Sequence, residues 1–214
     1  MENYLPFALL CFTSFITLMN PLGTMPVFMS MTSTLDNNAR KNIAKKASIV
    51  ASLSLLAFAF SGQLLFQFFG ISVHSFRMVG GIIFFMMGYD MLQARLTKVK
   101  IDKKDAVKEY VNDISITPLA IPMICGPGAI TNAIVLMQDA STPVMKGILV
   151  FNILFVCFLV YVVLWSSSKL TKMLGETGNK IMMRLMGLIV MVIAVEFFFS
   201  GLKPILIDIM HGNA

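Results

Sequence analysis

Six stretches of this chain run for about the length of a bilayer-spanning helix with at most one charged side chain, which leaves a bundle of membrane helices as the fold. The charge-free windows are Asn3 to Leu35, Ala47 to Phe76, Met78 to Tyr89, Ile114 to Gln138, Gly147 to Ser168, and Leu185 to Val195 continued by Phe197 to Leu202. The third and sixth are short only because Asp90 and Glu196 interrupt them. From Arg77 to Arg95, or from Arg184 to Lys203, a helix rises roughly 27 to 29 Å, enough to cross. With 57% hydrophobic and 13% charged residues, a soluble domain would be coated in apolar surface. The partner implied for most of the surface is therefore the lipid bilayer.

The basic residues orient the bundle. Arg40, Lys41, Lys45 and Lys46 follow span one; Arg95, Lys98, Lys100, Lys103, Lys104 and Lys108 follow span three; Lys169, Lys172, Lys180 and Arg184 follow span five. Only Arg77, Lys146 and Lys203 fall on the other side, so fourteen of 17 basic residues share one face. The positive-inside rule places that face in the cytoplasm and both termini outside, as expected of a multi-pass protein of a cell (inner) membrane. Basic residues scattered through short gaps predict topology rather than nucleic-acid binding. The amino end, with Glu2 and no basic residue, does not read as a cleavable signal peptide. Cys11, Cys125 and Cys157 lie singly within apolar runs and read as small buried hydrophobes rather than as disulfide or zinc ligands.

Two of the spans are interrupted. Asn20-Pro21-Leu22-Gly23-Thr24-Met25-Pro26 and Cys125-Gly126-Pro127-Gly128-Ala129-Ile130-Thr131 place proline beside glycine inside charge-free runs, with Pro21 and Pro127 separated by 106 residues. Proline removes an amide donor and bends the helix path. In lipid the freed backbone groups need protein, water or a solute as partner. Arg77-Met78-Val79-Gly80 opens span three as Arg184-Leu185-Met186-Gly187 opens span six, with an acid following each at Asp90 and Glu196. Six helices with odd numbers per half predict a 3+3 inverted repeat with broken first and fourth spans. Residues 1–97 form the first three-helix repeat, 98–113 a cytoplasmic connector, and 114–214 the second, inverted repeat. Paired breaks of this kind are the sequence mark of a secondary transporter.

The motifs Asn20-Pro21-Leu22-Gly23-Thr24-Met25-Pro26-Val27-Phe28, Phe76-Arg77-Met78-Val79-Gly80-Gly81, Pro118-Leu119-Ala120-Ile121-Pro122 leading into Gly126-Pro127-Gly128-Ala129-Ile130, and Arg184-Leu185-Met186-Gly187 occur in order across nearly the whole chain. Together they resemble the MarC/SnatA family. The resemblance implies a transporter of small neutral amino acids, with glycine and alanine as typical substrates.

A broken helix offers a zwitterion amide donors at one helix start and carbonyls at the preceding helix end. The candidate substrate-binding residues are accordingly Asn20, Pro21, Gly23, Thr24, Gly126, Pro127, Gly128, Ala129, Thr131 and Asn132. The glycines permit close backbone approach. Asn20, Thr24, Thr131 and Asn132 supply hydrogen bonds without net charge, although Thr131 and Asn132 would equally serve to bond a neighbouring helix. Gly80, Gly81, Gly88 and Gly187 read as close helix contacts. Glu196, an ionisable group within a span, is the ion-coupling candidate, or else a carboxylate near enough the outer surface to meet water or a basic partner.

An enzyme is not expected. Tyr89-Asp90 matches half of an intramembrane aspartyl protease signature whose second half is missing, and the two histidines, His74 in a loop and His211 in the tail, lie outside the spans. No metal-ligand cluster and no cofactor is implied. Without a phosphate-binding Gly-x-x-x-x-Gly-Lys-Ser/Thr motif, energy comes from a gradient, with a proton or sodium as the coupling ion, or from a partner. The alternatives are an exporter of broader metabolites or drugs, or a non-transporting accessory membrane subunit. Oligomeric state is left open by composition.

Overall fold

The computed structural model describes residues 4–93 and 113–211. Helix α1 (Tyr4–Met19) and α2 (Pro21–Met31) form one apolar run interrupted only at Asn20. They are followed by α3 (Asn37–Phe69) and α4 (Val73–Leu92). In the second half, an irregular wide helix α5 (Ser115–Ile124) and α6 (Pro127–Asp139) are bent by 57° at the break between them. The run Pro143–Met210 then divides at Gly175 into α7 (Pro143–Ser167) and α8 (Thr177–Met210). Among the described residues this gives five helices long and apolar enough to cross a bilayer, and six spans with the bent pair counted as one. The expected all-helical, six-span architecture is therefore observed. The connector at 98–113 lies, apart from Asp113, outside the described residues.

Each boundary has a local cause. Asp36 accepts from the Ala39 amide at 3.0 Å and starts α3, while Gly70, at φ 64°, ends it in the left-handed conformation that glycine adopts without strain. Ser72 caps α4 through the Ser75 amide, and Thr142 caps α7 with Pro143 in the first helical position. Gly175 sits at φ 66°, ψ −174°, a region open essentially to glycine alone, and there the chain leaves α7 for α8.

Two expectations need correction. The basic group Arg40, Lys41, Lys45 and Lys46 was expected in a gap between spans, but it lies within the first turns of α3, because the Asp36 cap starts the helix ahead of its apolar part. Long basic side chains permit this by carrying their charge to the membrane boundary. The Arg40 guanidinium also donates to the Thr32 and Ser33 carbonyls at 2.9 and 3.0 Å, pinning the turn after α2. Likewise His74, expected in a loop, occupies the first turn of α4.

The second half holds the least regular backbone. Thr117 and Ile121 each precede a proline and are forced out of the helical region to φ −125°, ψ 124° and φ −128°, ψ 122°. The chain recovers with wide turns, closed by the Cys125 amide donating to the Ala120 carbonyl at 2.7 Å.

The packing of α4 on α8 frames the site. Gly81 meets Ala194 and Phe198, Gly88 meets Gly187 and Met191, and Gly201 meets His74 and Met78, so the two helices run antiparallel. Small residues at the crossing let the backbones touch, as expected of Gly81, Gly88 and Gly187. Between these helices and α1, α2, α3, α6 and α7 lies the apolar core, including the buried Cys11, Cys125 and Cys157. Large apolar side chains such as Leu5, Phe68, Phe151 and Leu188 remain exposed around the outside, as a bilayer-facing surface requires.

Candidate functional site

Both helix breaks put proline at the same structural position. Pro21 is the first residue of α2 and Pro127 the first of α6, where a missing amide costs the second helix nothing. The cost falls on the helix before. Pro21 has no N–H to offer the Thr17 carbonyl, and the Gly23 amide turns to Asn20 rather than to Met19. Among the described residues the Met19 carbonyl receives only the Thr24 hydroxyl, at 3.4 Å, which it shares with the Asn20 carbonyl at 3.2 Å. The end of α1 thus presents carbonyl oxygens short of amide donors, with the negative end of its dipole behind them.

The two breaks differ in how the second helix begins. Asn20, at φ 40° and ψ 70°, occupies the left-handed region that asparagine tolerates better than other side-chain-bearing residues. Its Oδ1 accepts from the Gly23 amide at 3.0 Å, so α2 is capped by its own chain. The corresponding residue ahead of α6 is Gly126, which has no side chain, and among the described residues no side chain caps α6. The first turn of α6 therefore carries amide donors without a capping acceptor in a buried setting: Gly126, Pro127, Gly128, Ala129, Ile130 and Thr131 are all buried. A helix start of this kind favours an anionic group.

The first break opens on a small cavity of about 30 Å3, lined by Asn20, Gly23 and Thr24 from that break, Met123 from α5, Phe84, Met87 and Met91 from α4, and Leu18, Met19, Val190 and Ile193. Since a water molecule needs about 10 to 15 Å3 on this scale, the space holds about two waters. Two lining residues also touch the second break: Phe84 lies against Gly126, and Leu18 against Gly128 together with Phe197 of α8. Gly80 of α4 lies against Pro127. Phe84, Phe197 and Leu18 thus cover the start of α6.

The candidates separate into groups. Asn20, Gly23 and Thr24 line the cavity, Pro21 and Pro127 open the second helices, and Gly126 and Gly128 contact residues at the cavity wall. Ala129 is buried in the first turn of α6. Thr131, 1% exposed, has a hydroxyl without a hydrogen-bond partner among the described residues. It lies three residues beyond Gly128, on the same side of α6. Asn132 donates to Ser14 Oγ of α1 at 2.9 Å, so it joins a neighbouring helix. Glu196 is exposed on α8 and does not line the cavity, while its neighbour Phe197 lies over Gly128.

Sequence reading missed Phe84, Met87, Met91, Met123, Val190 and Ile193. Apolar residues lining a cavity and apolar residues facing lipid have the same composition. The one signal available was the spacing Phe84, Met87 and Met91, which marks a single face of α4 without saying what it faces.

The profile of one family, described as MarC family integral membrane protein, matches residues 5–206. A UPF0056 membrane protein of Pyrococcus horikoshii is 38% identical over 91% of this chain and 94% of its own length. A UPF0056 membrane protein of Methanocaldococcus jannaschii is 35% identical over 95% of this chain and 99% of its own. The UPF0056 membrane protein YvbG of Bacillus subtilis is 36% identical over 90% and 92%. No solved structure matches.

Proposed function

Because the chain belongs to the MarC family of integral membrane proteins, we propose that its paired helix breaks make it a secondary transporter of small neutral amino acids resembling glycine and alanine. The observation that carries the reading is the pairing of opposite helix ends. Under-bonded carbonyls at the end of α1 suit an ammonium group, and the uncapped start of α6 suits a carboxylate. The first adjoins a cavity whose polar side chains, Asn20 and Thr24, carry no net charge, and the second lies behind Phe84 and Leu18 of its lining. A zwitterion without a charged side chain matches that set.

The cavity is smaller than an amino acid, so substrate entry requires Phe84, Phe197 and Leu18 to withdraw from the start of α6. Alternating access follows if the halves are inverted repeats, a reading supported by Pro21 and Pro127 holding equivalent positions and by the antiparallel packing of α4 on α8. The protein is then no enzyme but a carrier in a cell (inner) membrane with both termini outside, driven by a proton or sodium gradient. Glu196 is the candidate carboxylate for coupling, acting through the adjoining Phe197.

Thr131 provides the test. An unbonded buried hydroxyl is costly, and a substrate carboxylate at the start of α6 would relieve it. Thr131→Val is expected to stabilise the substrate-free protein by about 1 kcal/mol and to weaken glycine binding about tenfold. Thermal unfolding and equilibrium binding of labelled glycine to the purified protein check both. Loss of stability with unchanged binding would contradict the assignment.

A further inference from the structure

Away from the helix breaks, α3 and α7 run side by side and leave a groove of about 480 Å3 lined by Lys41, Lys45, Ser48 and Ser52 on one wall and by Leu154, Cys157, Phe158 and Tyr161 on the other. The spacings of four, three and four residues on α3 place its four side chains in one stripe. Lys41 Nζ stands 5.8 Å from the centre of the Trp165 ring, which stacks on Tyr161 at 6.4 Å between centroids. The groove thus has a charged mouth at the membrane boundary, flanked by an aromatic pair of the kind enriched there. It then continues inward for about 16 Å along α3, from Lys41 to Ser52, with the apolar wall of α7 opposite and Ile49 beside the polar stripe of α3.

Ser48 is the unusual member. It is 5% exposed, lines the groove, and its hydroxyl has no partner among the described residues, whereas Ser52 Oγ donates to the Ser48 carbonyl at 2.8 Å. A buried donor left open beside two ammonium groups calls for an acceptor rich in oxygen, and the only charge that complements Lys41 and Lys45 is negative.

We propose that this groove is a binding site for an anionic phospholipid, with the headgroup phosphate held by Lys41, Lys45 and Ser48 and an acyl chain lying against Ile49, Leu154 and Phe158. The amphipathic profile selects a lipid over a soluble anion, since a free phosphate would leave the apolar depth of the groove unfilled. The site is independent of the transport reading and of what the cavity binds.

Native mass spectrometry of the purified full-length protein tests it with phosphatidylglycerol, phosphatidylcholine and inorganic phosphate as probes. Phosphatidylglycerol is expected to be retained over phosphatidylcholine. Lys41→Gln/Lys45→Gln is expected to weaken its binding about thirtyfold, from two basic residues attracting one anionic headgroup. Lys180→Gln/Arg184→Gln, which removes equal charge from the same end outside the groove, should bind as the unaltered protein does. Equal retention of the two lipids by the unaltered protein would overturn the proposal, whether or not the variants fold. Undiminished binding in the groove variant would also overturn it. Inorganic phosphate binding as tightly as phosphatidylglycerol would overturn the lipid source.

Discussion

Gly187→Leu protein is expected to lose its compact state, eluting as aggregate or unfolding at a much lower temperature in detergent than the unaltered chain. A Cβ placed on Gly187 would stand 2.7 Å from both the Gly88 carbonyl oxygen and the Leu92 amide nitrogen, and 2.9 Å from Met91 Cβ. The first two are backbone atoms of α4 and have no rotamer by which to retreat, so the helices must separate. Separation would also open the contacts of Gly81 with the Ala194 carbonyl and of Gly201 with the His74 carbonyl, because all three glycines lie along one crossing. Overpacking of a tight contact costs about 1 to 3 kcal/mol and occasionally more, and the leucine stands at the upper end. Gly147→Ala is the contrast. Its Cβ would meet nothing within 4 Å in the first turns of α7, so the change should stabilise slightly, by about 0.5 to 1 kcal/mol. Size-exclusion chromatography after a temperature ramp reads both. A Gly187→Leu protein as stable as the parent would show that α4 and α8 do not meet at these glycines.

Gly128→Leu is expected to fold and yet to lower amino-acid uptake to that of protein-free liposomes. A Cβ at this position would come 2.7 Å from Phe197 Cζ and 3.2 Å from Leu18 Cδ2. Both are ends of flexible side chains, so they can yield and the fold can survive. What the leucine takes is the space those side chains cover, directly over the uncapped amides of α6. Gly128→Ala, needing a shift of a ring edge only, should retain part of the activity. Uptake by Gly128→Leu equal to the parent's would remove the start of α6 from the substrate path.

The breadth of the fold was readable because membrane burial follows from runs without charge, and each run holds most of one span, although the run from Ala47 to Phe76 passes the end of α3 into α4. Pro21 and Pro127 were readable for a different reason: proline at a helix start is a local property, and both residues occupy that place. The irregular winding of α5 was less open to inspection. Prolines at 118 and 122 signalled a break in hydrogen bonding, but that the chain would recover through wide turns depends on the packing around Ala120 and Cys125. The start of α3 was hidden because its first turns are basic, and the hydropathy of a window says nothing of helix that continues beyond it. The cavity itself could not be read, since Met123 from α5 and Phe84 from α4 meet only in the folded chain. The difference between Asn20 and Gly126 as helix starts was present in the letters. Its meaning needed the geometry, which has Asn20 bonding its own helix and leaves α6 without a side-chain cap.

The most direct measurement is uptake of labelled glycine and alanine by liposomes containing the purified protein, under an imposed proton or sodium gradient, with Glu196→Gln protein alongside. Saturable uptake that depends on one gradient, and that bulky or charged amino acids do not inhibit, is the predicted result; loss of the gradient dependence in Glu196→Gln would assign the coupling to that carboxylate. The absence of uptake of either amino acid under both gradients would contradict the account and favour an exporter of other solutes or a membrane subunit that does not transport.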